Sequence, residues 1–262
     1  MKHQDSSVQR QIESESHNVR DQLSMRKVLL LIFLPTSILT IVYLLVGHVM
    51  GDTLPTILIF LLLAMIILFP IQLFVVVQSS KKEYGSYSLK SAFSNHQKLK
   101  WWKVLLYASF LWGFAGLMSV TIAPLEVMLF APISEQMFNI LPPYFDWVNI
   151  DYGQNYSRNI LLLTCVIIFI LNVFIGPIVE ELFFRGYLTS KMSRFKNYTP
   201  LIVTVLFSLY HLWLPFNNLF RIIAFFPAFY LAWKKKNIYI AIVVHCLCNA
   251  VSTIGFIAIL LG

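Results

Sequence analysis

Apolar positions in this chain fall in long blocks, near residues 28–49, 54–77, 104–123, 159–176 (running on to about 190), 198–214, 219–233 and 238–261. The blocks show no polar–apolar alternation of the kind barrel strands need. A hydrocarbon core about 30 Å thick is crossed by roughly 20 helical residues, and a backbone in lipid must satisfy its own hydrogen bonds. The pattern therefore predicts an all-α, polytopic transmembrane bundle of about seven spans, with six to eight as the bounds. Short apolar stretches within 124–150 leave room for one segment that re-enters the membrane, and Pro142-Pro143 with the aromatics from Tyr144 to Trp147 suit the outer interface.

Composition agrees. Hydrophobic residues make up 58% and charged residues 12%, and the mean hydropathy is +0.72, values outside the range of soluble globular domains. The net charge of +8 is explained by where the bases lie. Lys2, Arg10, Arg20, Arg26 and Lys27 precede the first block. Lys81, Lys82, Lys90, Lys98, Lys100 and Lys103 fill the second connection, Lys191, Arg194 and Lys196 the fourth, and Lys234 to Lys236 the sixth. The intervening connections hold Asp52, then Glu126, Glu135, Asp146 and Asp151 with Arg158, then Arg221. Bases on alternate connections put those segments, and the N-terminus, on the cytoplasmic side. The C-terminus is expected outside, and no nucleic-acid partner is needed.

The chain divides into a polar cytoplasmic tail at 1–27, helices and loops over 28–158, and a core over 159–262 that holds the chemistry. The tail is too long and too mixed in charge for a cleaved signal, so the first helix is expected to be retained. Cys165, Cys246 and Cys248 lie inside predicted helices and read as small packing residues. Trp101-Trp102 and Trp233 beside lysines suit an interfacial aromatic belt. His3, His17, His48 and His96 lie near ends or in loops, and Arg221 either snorkels or caps the bundle from outside.

After Asp151 only two acids remain, Glu180 and Glu181, adjacent inside GPIVEELFFRGYL. A charge at that depth costs about 2.5–3.5 kcal/mol on insertion scales and marks a functional candidate. Glu181 and Arg185 are spaced to pair along one helix face. Glu180, about 100° round the helix, needs another partner, and Gly176-Pro177 one turn earlier predicts a kink. The available buried polar groups are His211 in FSLYHLW, one turn after Phe207, and His245 in HCLCNA, one turn before Asn249. Counting about 1.5 Å per residue from the nearest helix ends puts Glu180, His211 and His245 all near mid-bilayer.

Such a cluster can hydrolyse a peptide in two ways. Glu180 acts as general base on a water held by His211, while His245 and Asn249 donate to the oxyanion. Alternatively Glu180, His211 and His245 hold zinc or another divalent metal with a fourth position for water. No H-E-x-x-H run is present, and no serine or cysteine has a convincing nucleophile setting.

Glu180-Glu181-x-x-x-Arg185, Phe207-x-x-x-His211 and His245-x-x-x-Asn249, in that order, resemble the motifs of the CAAX-protease and bacteriocin-processing intramembrane proteases, also called the Abi family. The resemblance covers roughly 159–262. It implies an intramembrane endopeptidase in which Glu180 and His211 activate water, His245 and Asn249 stabilise the oxyanion, and Glu181, Arg185 and Phe207 support the site. It leaves the metal open. Residue usage has a bacterial look, so the expected setting is a bacterial cell membrane. The expected partners are the lipid bilayer and peptide or membrane-protein substrates, with roles in peptide processing or bacteriocin self-immunity. Two rivals are a non-catalytic scaffold or immunity protein on the same fold and a transporter; the latter predicts an inverted repeat that the chain does not display.

Overall fold

The computed structural model describes residues 22–261; most of the polar tail, with Lys2, His3, Arg10, His17 and Arg20, lies outside the described residues. Seven helical segments carry the fold: α1 Met25–Met50, α2 Thr56–Tyr84, α3 Trp101–Ile140, α4 Arg158–Lys191, α5 Thr199–Leu209, α6 Asn218–Lys234 and α7 Ile238–Leu261. Among the described residues there is no strand.

Five of these, α1 to α4 and α7, are long and apolar enough to cross a bilayer. The block read at 198–214 shrinks to a helix of 11 residues, while that at 219–233 becomes one of 17. At about 1.5 Å per residue the first reaches only some 16 Å. The block read at 104–123 differs in the other direction. Helix α3 runs through Pro124 and Pro132 to Ile140, so Glu126 and Glu135 sit on a helix and not in a loop.

Each long helix buries one stripe. In α1 it is Val28, Ile32, Pro35, Thr36, Leu39, Tyr43 and Gly47, spaced three or four apart as one helical face requires. Leu30, Leu34, Ile41 and Leu45 on the other side are more than half exposed, which suits contact with lipid. Helix α3 buries Val104, Ala108, Leu111 and Ala115, then Glu126 three turns further along. It packs against both α6 and α7.

The basic connections gather at one end of the bundle. Leu23 N–H donates to Lys191 O at 3.0 Å and Gln97 N–H to Lys236 O at 2.7 Å, while Lys191 pairs with Glu83 at 2.8 Å. At the opposite end residues 141–157 pack on α1 and α2 and do not stand free. Tyr43 and Thr56 hydroxyls both donate to Tyr144 O, Tyr144 donates to Leu44 O at 2.7 Å, and Trp147 Nε1 donates to the Tyr43 hydroxyl at 2.7 Å. Burial pushes the phenols of Tyr144, Tyr152 and Tyr156 up, which keeps them neutral donors. At Gly47 an added Cβ would lie 2.9 Å from the Tyr144 ring.

Helix α4 carries two π segments, Leu171–Ile175 and Leu182–Leu188, on either side of Gly176–Glu181. Pro177 has no N–H to give, and one residue earlier Gly176 N–H already bonds Leu171 O in the wider π pattern. The expected kink is thus absorbed as π turns within a continuous helix. Such turns recur at functional sites, and here they set the rotation of Glu180 relative to Arg185.

Candidate active site

Glu180 and Glu181 are both buried, Glu181 completely, and they point to different partners. Glu181 Oε1 accepts from His245 Nδ1 at 2.9 Å and lies 3.2 Å from Arg185 Nη1. The Arg185 distance is that of an ion pair, but no guanidinium nitrogen has hydrogen-bond geometry to any described group. The cation is held instead between two aromatic faces. Its Cζ is 3.1 Å from the Phe229 ring centre and 3.9 Å from that of Phe207. A desolvated cation–π contact is worth about 2 kcal/mol. Phe207, read as a motif residue, thus supports Arg185 and also meets the rings of His211 and His245 edge-on.

Glu180 is therefore not neutralised by the arginine on its own helix. Its Oε1 accepts from the Tyr210 hydroxyl, and its Oε2 lies 3.7 Å from His245 Nε2. Tyr210 was not legible as a site residue in the sequence. It is fully buried against Phe184, Phe207, His211 and Trp213.

His211 is placed differently from the expectation of a mid-helix residue. Helix α5 stops at Leu209, and His211 lies in the turn just beyond. Its Nδ1 bonds Phe207 O at 2.8 Å. A carbonyl only accepts, so Nδ1 carries the proton and Nε2 presents a lone pair. Among the described residues His211 makes no direct hydrogen bond with Glu180; the two meet through Tyr210, whose ring centre is 4.3 Å from that of His211. For His245 the same logic gives Nδ1–H to the Glu181 carboxylate. Donation from Nε2 as well needs a ring with both protons. Asn249, one turn further along α7, donates from Nδ2 to Asn172 O at 2.8 Å. Asn172 in turn donates to Thr253 Oγ1 at 2.9 Å. Asn249 is thereby tied to the first π segment of α4, not to Glu180.

The donor set of the metal alternative does not fit as arranged. Among the described residues no three His, Cys, Asp or Glu side chains are placed to share an ion.

A cavity of about 630 Å³ opens among the basic connections, lined by Glu83, His96, Lys191 and Lys234 at its outer part and reaching Arg185 and Phe229. Glu180, His211 and His245 do not line it. The Arg185–Phe229 stack separates it from the carboxylate cluster.

Residues 162–251 match the family model of the type II CAAX prenyl endopeptidase Rce1-like proteins. No curated protein and no solved structure matches the chain. The matched stretch, about a third of the chain, contains all three motifs, so the resemblance read from them is borne out.

Proposed function

We propose that the chain is an intramembrane endopeptidase that hydrolyses a peptide bond in a membrane-associated or peptide substrate. The observation that carries this reading is the state of Glu180. It is a buried carboxylate on a membrane-crossing helix, left free by Arg185, oriented by the Tyr210 hydroxyl and faced by an imidazole. An acid kept for structure alone would be expected to pair with the arginine one turn away, as Glu181 does.

In the proposed reaction Glu180 takes a proton from a water as the water oxygen bonds the scissile carbonyl carbon. The Tyr210 bond fixes one carboxylate oxygen and leaves the other for that proton. The His211 Nε2 lone pair accepts from the same water and orients it. His245 Nε2–H and Asn249 stabilise the oxyanion, and donors set in advance at such a position are worth about 2.7–4 kcal/mol each. Asn249 must exchange its bond to Asn172 O to contribute. The proton on Glu180 then passes to the departing amine as the C–N bond breaks, which returns the carboxylate. Glu181 fixes the His245 ring through its Nδ1–H, and Arg185 holds Glu181.

The family description supports a peptide bond as the target. The isoprenyl group that the description names is not required by any feature of this chain. With a bacterial cell membrane as the setting and the N-terminus cytoplasmic, we infer unprenylated peptides or membrane proteins as substrates, with peptide processing or self-immunity to a bacteriocin as the role. Purified protein in lipid nanodiscs, offered matched membrane-anchored peptides with and without an isoprenyl group, tests this. Cleavage by wild type that is absent in Glu180→Gln supports the reading, and which peptide is cut decides the substrate class. Equal product from both proteins would contradict it.

A further inference from the structure

The turn that carries Tyr210 and His211 has no regular helix of its own between Leu209 and Asn218, so something else must fix it. Two charged side chains outside the three motifs do so. Glu126 of α3 is 6% exposed and accepts from the backbone N–H groups of Leu219 (2.9 Å, Oε1) and Phe220 (2.6 Å, Oε2). These belong to the first turn of α6, whose N–H groups have no intrahelical partner and whose end favours a negative charge. The residue at the cap position, Asn217, sits at φ 62 and gives no side-chain cap. A carboxylate 93 residues away in sequence serves as the cap.

Arg221 acts from the other side of the same turn. Its Nη1 donates to Ser208 O at 3.0 Å and lies 3.3 Å from Asn218 Oδ1, and its Nη2 donates to Phe216 O at 3.4 Å. Ser208 Oγ donates to Asn218 Oδ1 at 2.9 Å. The last turn of α5, the 210–217 connection and the first turn of α6 are thereby closed into one network. Thr36 of α1 adds a bond from its hydroxyl to Tyr210 O at 2.6 Å.

We propose that Glu126 and Arg221 are positioning residues of the hydrolytic site, holding the turn so that Tyr210 meets Glu180 and His211 keeps its Nε2 toward the water. The proposal rests on the hydrolytic reading above. It also gives α3 a task. This helix is mostly exposed to lipid, and Glu126 is where it grips the active-site turn. A helix cap needed only for stability would change the melting temperature. A positioning role predicts that reactivity falls further than the fraction of folded protein does, because a misplacement of about 1 Å can cost about a hundredfold in rate.

The test uses the full chain in lipid nanodiscs and cells carrying it at matched levels. Backbone hydrogen exchange over 205–222 and the rate at which Glu180-dependent peptide termini form are measured for wild type, Glu126→Ala, Glu126→Gln and Arg221→Lys. Glu135→Ala, an exposed acid on the same helix, is the control. Expected are about tenfold faster exchange confined to 205–222 and at least about tenfold slower cleavage in Glu126→Ala. Glu126→Gln, which keeps one acceptor, should be intermediate and remain measurable if Glu126→Ala does not fold. Unchanged exchange overturns the proposal, and so does faster exchange with cleavage at the wild-type rate. If Glu180→Ala leaves every terminus in place, the hydrolytic reading itself fails and the positioning role falls with it, whatever the exchange shows.

Discussion

The Tyr210 hydroxyl donates to Glu180 Oε1 across thirty residues of sequence. That bond joins the end of α5 to the middle of α4 and leaves Glu180 with one engaged and one available oxygen. Replacing Tyr210 by Phe keeps the ring in its aromatic pocket and removes only the donor. A hydrogen bond to a charged group is worth about 1.5–3 kcal/mol, and its loss leaves a buried carboxylate oxygen short of a donor, so the melting temperature should fall and kcat should fall by roughly 10- to 150-fold with KM little changed. A variant with wild-type kcat would show that the phenol does not orient the carboxylate.

Arg185 and Glu181 form a buried pair, and removing one partner strands the other. Such losses cost about 3–5 kcal/mol, so Arg185→Met should lower the melting temperature sharply. The double variant Glu181→Gln with Arg185→Met should recover part of the loss. Arg185→Lys should also destabilise, because a compact, strongly hydrated ammonium replaces the delocalised guanidinium that sits in the corner formed by the near-perpendicular Phe207 and Phe229 rings. Thermal unfolding in detergent micelles checks all three, and a Lys variant as stable as wild type would contradict the stacking account.

Two helical glycines give a matched contrast. At Gly186 an added Cβ would lie 2.6 Å from Ala92 O and 2.7 Å from Ala92 Cβ, whereas at Gly113 nothing lies within 4 Å. Gly186→Ala must push the 90–93 segment off α4 and should cost about 1–3 kcal/mol. Gly113→Ala should be neutral or stabilising by up to about 1 kcal/mol. Equal melting temperatures for the two variants would contradict the close approach.

Chelation addresses the remaining chemical alternative. With no position shared by three potential ligands among the described residues, cleavage should survive EDTA at its full rate. Loss of cleavage that zinc restores would return Glu180, His211 and His245 to the role of ligands.

Much of this could be read from the chain. The run from Ile238 to Leu261 became a single helix with the predicted bounds. The scarcity of acids after Asp151 singled out Glu180 and Glu181, and the helical angle between them foretold that one arginine would serve only Glu181. What escaped depends on how helices end. The apolar block read from the sequence closes at residue 123, but α3 continues through Pro124, because a proline removes one hydrogen bond and neighbouring packing can carry the helix past it. The missed signal was periodic: Glu126 is eleven residues beyond Ala115 and falls on the same buried face. Tyr210 was hidden among twelve tyrosines. Its role arises because α5 ends at Leu209 and the next two residues turn inward together, which no window average registers.

The central claim is that Glu180 is the base of a peptide hydrolysis. It is tested most directly by mass spectrometry of new peptide termini, membrane-associated and secreted, from cells carrying wild type or Glu180→Ala at matched protein levels. The account predicts a defined set of termini present with wild type and absent in the variant. Identical profiles, with the wild-type phenotype persisting in the variant, would contradict it and leave a non-catalytic scaffold or immunity protein as the better description.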